Sequence, residues 1–395
     1  MKHEVFFHPS GKRGQVEERK TILEAARELG ISLRSDCGGK GTCGKCRIMV
    51  EDGEGGLSSP TEKERRLLGS QLDSRCRLAC SAAIHGPLSV TVPSESLADE
   101  PVILAEGEGV PFELSPVIRK YHIDMTVPNA EDSAGDAQRL LNELAKVYHL
   151  KALEIDYPML RKLPGLLRDA AWDVTVTVWD GRQVVDVEPG YVDDGYGMAV
   201  DIGTTTVVGY LMSMRTGRMI AVESMTNPQV AYGADVMTRI VYAMKDDENR
   251  RRIRQSIVEG LNTIVERACA KAGIAPSKVL EMTLVGNTAM HHIFLGLNTE
   301  SLARAPFVPV LQEACDFKAR DLLLVINPCA NVHVLPIEAG FVGADNVGVL
   351  IATQPQQYPG LTLVIDIGTN GEIVLGSKEA GLMCCSAAAG PAFEG

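Results

Sequence analysis

Three cysteines crowd one glycine-rich stretch, Cys37-Gly-Gly-Lys-Gly-Thr-Cys43-Gly-Lys-Cys46, and Cys76 and Cys80 follow in "RCRLAC". Thiolates at this density are ligands for soft metals. In a reducing compartment such crowding means metal or redox chemistry rather than disulfides. A second chemistry is written twice. "AVDIGTTTVVGYLM" (199–212) and "VIDIGTNGEIVLGS" (364–377) each set Asp-Ile-Gly-Thr between two apolar strands. A Gly-Thr turn exposes N–H groups and hydroxyls that can hold phosphate oxygens. An Asp closing the first strand can hold Mg2+, directly or through water. Neither copy is a G-x-G-x-x-G or G-x4-G-K-[ST] pattern, which excludes dinucleotide-binding and P-loop readings. One copy alone would pass for an ordinary hairpin turn; its repetition argues for function.

These groups need elements to hold them. Residues 1–95 read as a small α+β unit: a hairpin from "HEVFFH" and "GQVEER", a helix "TILEAARELG", the cysteine loop, a strand "CRIMVEDG", a second helix and a late strand "PLSVTV". Thr21 and Glu24 form a capping box for the first helix, with Gly30 as its stop. For the second, Ser59 is the expected cap, with Pro60 in the first turn and Glu62 as reciprocal partner. That order suits a β-grasp. Residues 96–118 are acidic, contain Pro and Gly, and read as a linker. Residues 119–194 form a middle α+β domain, with strands "KYHIDMTV", "DVTVTVW" and "RQVVDVE", helices near 136–148 and 157–170, and an Asp180-Gly181 hairpin turn. From 195 to 395, strands and helices alternate as in an α/β fold.

Net charge is −12 over 395 residues. That argues against nucleic-acid binding and against a polybasic membrane anchor. No run approaches 18 apolar residues and the N-terminus lacks a signal segment, so a cytoplasmic location is expected.

The spacing Cys37-x5-Cys43-x2-Cys46 with a late thiol resembles plant-type [2Fe–2S] ferredoxins, whose C-x4-C-x2-C is one residue shorter. Glycines suit such a loop, because backbone N–H groups must approach the sulfur atoms closely. A structural zinc site is the alternative, but zinc sites usually present two tight pairs, and only Cys43 and Cys46 form one here. The "RLAC" stretch is similar to the end of the cluster site in adrenodoxin-like ferredoxins, which implies ligands Cys37, Cys43, Cys46 and Cys80. The interval from Cys46 to Cys76 is nearer to plant ferredoxins and keeps Cys76 as the other choice.

The repeated loop resembles the phosphate loops of the actin/sugar-kinase/Hsp70 (ASKHA, RNase H-like) ATPases. The resemblance implies Asp201 and Asp366 as catalytic, Mg2+-holding acids, with Gly203, Thr204, Thr205, Gly368, Thr369 and Asn370 on the phosphates of ATP. Between the loops, His291 and His292 read as one core and one surface histidine, since neighbours on a helix face differently. Glu338 and Asp345 are equally readable as cleft acids or as solvated loop acids.

A ferredoxin domain, a linker, a middle domain and an ASKHA fold in one chain resemble the reductive activators of corrinoid proteins. "VGNTAMHH" and "AAGPAFEG" look like that family too. The resemblance implies ATP-dependent one-electron reduction of Co(II) to Co(I) through a [2Fe–2S] cluster. It implies a corrinoid partner, either a corrinoid iron–sulfur protein or the corrinoid subunit of a methyltransferase, and an upstream electron donor. A second copy of the chain is a further candidate partner; nucleic acid and membrane are not expected. About 25 residues follow the second loop, fewer than a second ATPase lobe requires, so the expected fold has an incomplete second lobe and the chain reads as C-terminally truncated. The competing readings are a ferredoxin-fused kinase-like ATPase and a non-enzymatic, cluster-bearing redox sensor.

Overall fold

The computed structural model of the chain describes residues 1–31, 33–35, 37, 39–97, 112–368 and 370–388. They fall into two compact units, one on Met1–Val102 with Pro228–Tyr242, the other on Ile103–Asn227 with Ala243–Ala389.

In the first unit, β1 (Lys2–His8) and β2 (Lys12–Glu17) pair antiparallel as their alternation predicts. α1 (Ile22–Glu28) opens on the Thr21–Glu24 capping box and stops before Gly30, whose φ is +69°. β3 (Arg47–Asp52) leaves the cysteine loop, and α2 (Glu62–Leu68), β4 (Cys76–Leu78) and β5 (Leu88–Thr91) follow. The sheet order is β2-β1-β5-β3-β4, with β1 and β5 parallel at its centre, a β-grasp. Ile22, Leu23, Ala25 and Ala26 of α1 join Val5, Phe7, Ile48, Leu78 and Val90 in one buried core.

α2 is capped two residues later than the sequence predicts. Thr61, not Ser59, is the N-cap, and Glu64, not Glu62, closes the box. The register is settled elsewhere in the fold. Fully buried Glu64 takes the Arg77 guanidinium at 2.9 and 3.3 Å and the Leu78 amide at 3.1 Å. Glu62 is exposed.

The second unit begins with a four-stranded sheet, β6-β8-β9-β7, from β6 (Ile118–Asp124), β7 (Glu154–Ile155), β8 (Asp173–Trp179) and β9 (Gln183–Pro189). α3 (Asp136–Tyr148) and α4 (Tyr157–Asp169) pack against it through Leu140, Leu144, Leu163 and Leu167. Asp180 and Gly181 turn the β8–β9 hairpin with φ of +47° and +65°, the signs a type I′ turn requires. Asp156 caps α4 and also receives Arg320 at 2.7 and 3.1 Å. Cys329 lies in this layer's core. The α+β layer is therefore fastened to the large sheet that follows.

That six-stranded sheet runs β12-β11-β10-β13-β15-β14. β10 (Tyr196–Ile202), β11 (Thr206–Ser213) and β12 (Met219–Thr226) form an antiparallel meander; β13 (Val279–Gly286) and β15 (Asn331–Val334) lie parallel to β10; β14 (Cys315–Lys318) closes the edge. α6 (Asp247–Ala272), α7 (Thr288–Leu295) and α8 (Ala344–Thr353) intervene, while α5 (Val236–Ala243) falls, up to Tyr242, in the first unit. α6 is capped by Asp246 and buries Ile253, Ile257, Leu261, Ile264 and Ala268, spaced as one helical face. A separate antiparallel sheet follows, from β16 (Thr362–Ile367), β17 (Asn370–Ser377) and β18 (Gly381–Ala388). On β16, Leu363, Ile365 and Ile367 are exposed. The chain is thus a multidomain α+β and α/β protein.

Neither histidine of α7 is on the surface. His291 and His292 are both buried, because α7 is apolar all round. His292 Nδ1 meets Thr288 O at 2.8 Å and its Nε2 accepts from the Val310 amide at 2.9 Å, the pattern of a neutral ring.

Candidate cluster and nucleotide sites

The cysteine loop joins α1 to β3, and β4 brings the late thiol back beside it. Cys37 and Cys43 sulfurs lie 3.4 Å apart. Cys46 and Cys80 form a second hydrogen-bonded pair. Cys76 points elsewhere: it sits on β4 opposite Met49, in the hydrophobic core. Ala79 N donates to Cys46 O at 2.8 Å, which pins the residue before Cys80 to the loop. Gly41 and Gly44, both at φ +69°, let the loop fold over the thiols. Gly38 lies outside the described residues.

In each pair one thiol is shifted toward its anionic form. Burial pushes the Cys37 thiol up, but the amides of Thr42 and Cys43 outweigh it and bring it to about 6. Burial keeps Cys43 raised. The hydrogen bond from Cys46 holds Cys80 at about 7 against its burial, while that bond and burial raise Cys46. Among the described residues no three His, Cys, Asp or Glu side chains converge on one ion position. The thiols meet as two pairs, Cys37 with Cys43 and Cys46 with Cys80.

The first Asp-Gly-Thr loop joins β10 to β11. Asp201 is the last but one paired residue of β10, in register with Val208 and Val285, and Ile202 closes the strand. A Cβ on Gly203 would come within 2.6 Å of Thr206 O, so only glycine permits this turn. Thr204 is buried, and its Oγ1 accepts from Asn287 Nδ2 at 2.9 Å. Asn227 braces the other side: its side chain donates to Gly203 O and its backbone N–H to Thr205 O, both at 2.7 Å. Neither Asn227 nor Asn287 belongs to the Asp-Ile-Gly-Thr repeat that marks the site in the sequence, although Asn287 lies in "VGNTAMHH".

The second loop joins β16 to β17. Asp366 pairs with Glu372 across the hairpin, and the Gly368 amide donates to Asn370 O at 3.1 Å; Thr369 lies outside the described residues. Between the loops stands the start of α8. A Cβ on Gly343 would come within 2.5 Å of Asn287 Cα, so α8 begins directly against the asparagine that holds Thr204. In its first turn Asp345 is pushed up to about 6, by burial and then by Asp366 and Glu338 against the pull of the Asn346 amide. Glu372 rises to about 7, by burial and then by Asp345, and burial raises Asp366. Glu338 accepts from Asn346 Nδ2 at 3.2 Å and from the Cys384 thiol at 2.6 Å. Asp345 is therefore a member of a carboxylate group around the second loop, not a solvated loop acid.

Four family models match the chain in succession. They are the 2Fe–2S iron–sulfur cluster binding domain (residues 6–85), the RACo linker region (107–194), the RACo middle region (196–357) and the C-terminal domain of RACo, the ASKHA domain (360–395). The chain is 31% identical over 383 residues to the corrinoid activation enzyme RamQ of Eubacterium limosum, covering 96% of this chain and 60% of RamQ. A solved "reductive activator for corrinoid, iron–sulfur protein" superposes with a TM-score of 0.66 at 29% identity, covering 100% of this chain and 64% of that one. The reductase component DmpP of phenol 2-monooxygenase from Pseudomonas sp. (strain CF600) is 34% identical over 137 residues, 32% of this chain and 36% of that protein. The chain thus spans less than two thirds of the corrinoid-related proteins it matches along its length. No helix among the described residues is long and apolar enough to cross a membrane.

Proposed function

Because the chain belongs to the RACo family, with a 2Fe–2S domain, linker, middle and ASKHA regions in order, we propose that it is an ATP-dependent reductive activator of a corrinoid protein. Its reaction is the one-electron reduction of Co(II) to Co(I). Cys37, Cys43, Cys46 and Cys80 hold a [2Fe–2S] cluster, one pair to each iron. The two thiol pairs carry this reading, and the core position of Cys76 favours Cys80 as the fourth ligand. Such a cluster supplies one-electron transfer near about −400 mV.

Asp201 and Asp366 hold Mg2+, and Gly203, Thr204, Thr205, Gly368, Thr369 and Asn370 bind the phosphates of ATP. Support comes from the bracing of the first loop by Asn227 and Asn287, which fixes the Gly203 carbonyl and the Thr204 hydroxyl before any ligand arrives. Crowded carboxylates with raised pKa at the second loop are relieved when a divalent cation neutralises them. The electron moves uphill, since Co(I) formation needs a lower potential than the cluster's. Each ~59 mV costs a factor of ten for one electron. Closure around ATP offsets that by altering the partner's cobalt ligation or docking. The partners are a corrinoid iron–sulfur protein or a methyltransferase corrinoid subunit and an upstream donor, in the cytoplasm.

The test mixes the whole gene product containing this sequence with a Co(II) corrinoid protein and reductant, without oxygen. The Co(I) absorption band should grow with Mg-ATP and stay absent without it. Co(I) formation independent of ATP, or none at all with a fully loaded cluster, would overturn the reading.

A further inference from the structure

The cysteine loop is rimmed by cations. Lys40 and Lys45 are exposed within the loop itself, between Cys37 and Cys46. Exposed Lys63 of α2 lies over the loop: a Cβ on Gly41 would stand 3.1 Å from Lys63 Cδ, and the ammonium donates to Lys40 O at 3.0 Å. Arg66, one turn further along α2, is exposed as well. Of the acids on that helix, Glu64 is buried against Arg77 and presents no charge to solvent. Glu62 is exposed, and Asp36, next to Cys37, lies outside the described residues.

The rim reflects a wider asymmetry. Residues 1–97 hold 15 Lys and Arg against 13 Asp and Glu, a net charge of +2, in a chain whose net charge is −12. The electron-carrying domain is thus the basic part of an acidic protein. Electron transfer requires the partner's cofactor to come close to the cluster, so whatever exchanges electrons here must touch this rim. Complementary charge raises encounter rates by about 10–10³-fold, an effect screened by salt.

We propose that the loop rim, Lys40, Lys45 and Lys63, is the docking face for a redox protein with a carboxylate-rich surface. The step is the transfer of one electron from the reduced cluster to that partner's cofactor, with no proton moved. The proposal rests on the [2Fe–2S] reading of the same loop.

Stopped-flow oxidation of the photoreduced chain by two acceptors tests it: an acidic flavodoxin and basic cytochrome c. The flavodoxin rate should fall at least about tenfold between roughly 20 and 300 mM salt. Lys40→Glu, Lys45→Glu and Lys63→Glu combined should lower the low-salt flavodoxin rate about tenfold and raise the cytochrome c rate, with the visible spectrum unchanged. A triple variant with an intact spectrum that reacts with flavodoxin at the parent rate, or that slows equally with both acceptors, overturns the docking face. A parent chain with no visible cluster spectrum overturns the cluster reading instead.

Discussion

The Asn287 side-chain amide donates to Thr204 Oγ1 at 2.9 Å, while its Oδ1 accepts the Met290 amide at 3.1 Å. One buried residue thus caps α7 and anchors the first Asp-Gly-Thr loop. Asn287→Ala leaves a buried hydroxyl and a helix N–H without this partner, a cost of about 1–3 kcal/mol. Asn287→Asp keeps the cap and loses the donor to Thr204. Thermal denaturation should rank the parent above Asn287→Asp and Asn287→Ala lowest. Equal melting of Asn287→Ala and the parent would remove the anchor.

The cluster assignment separates Cys80 from Cys76. Purified without oxygen, the chain should be brown-red, with about two Fe and two sulfides per molecule. Single Ser replacements of Cys37, Cys43, Cys46 and Cys80 should each lose most of the visible absorbance, while Cys76→Ser keeps it. A colourless Cys76→Ser with a coloured Cys80→Ser would reverse the assignment.

Glu64 ties the α2 cap to Arg77, three residues before Cys80. Burial pushes its carboxyl up, but Arg77 and the Thr61 and Leu78 amides outweigh it and hold the group below the usual range. The stability it contributes is present above the unfolded carboxylate pKa and is lost as pH falls through the lower folded value. Glu64→Gln leaves the Arg77 charge buried without its carboxylate, a loss of about 3 kcal/mol near neutral pH. Melting of apoprotein should show the gap between parent and variant narrowing as pH drops below about 4. A gap of constant size would mean that Glu64 acts through shape alone.

Glu281 has the opposite sign. On central strand β13 it is buried and receives Asn331 Nδ2 at 3.1 Å. Burial, then Asp316, push its carboxyl up to about 8 against the pull of Asn331. The folded chain therefore keeps a proton that the unfolded chain releases near pH 4.3, and stability falls as pH rises from there to about 8. Glu281→Gln mimics the protonated acid without that dependence. It should match the parent near pH 4.5 and exceed it by about 4 kcal/mol at pH 7.5. A difference that does not grow with pH would show that Glu281 is ionised in the fold.

Asp201→Ala tests the nucleotide loop in the whole gene product. It should leave reduction of the cluster by dithionite intact and cut ATP-driven Co(I) formation by orders of magnitude, since positioned Mg2+ and phosphate contacts carry phosphoryl-transfer chemistry. Equal Co(I) formation at equal cluster content would detach this loop from ATP. Parallel loss of both activities would reduce Asp201 to a hairpin residue.

What the sequence determined by itself is local. The Cys37–Cys46 loop, the Thr21–Glu24 box, the Asp180-Gly181 turn and the two Asp-Gly-Thr hairpins depend on residues a few positions apart, whose spacing dictates backbone geometry or ligand reach. What only the tertiary structure decided depends on partners far along the chain. Glu64 took over the α2 box because Arg77 was there to receive it. Cys76 and Cys80 look alike in "RCRLAC", yet strand pairing turns one into the core and leaves the other beside Cys46. His291 and His292 are both interior because the helix carrying them is enclosed on every side, which spacing along one helix cannot reveal. Asn227 and Asn287 hold the first loop from 24 and 83 residues away. A hydrogen bond needs only closeness in space, and closeness in space between distant residues is set by sheet order and packing.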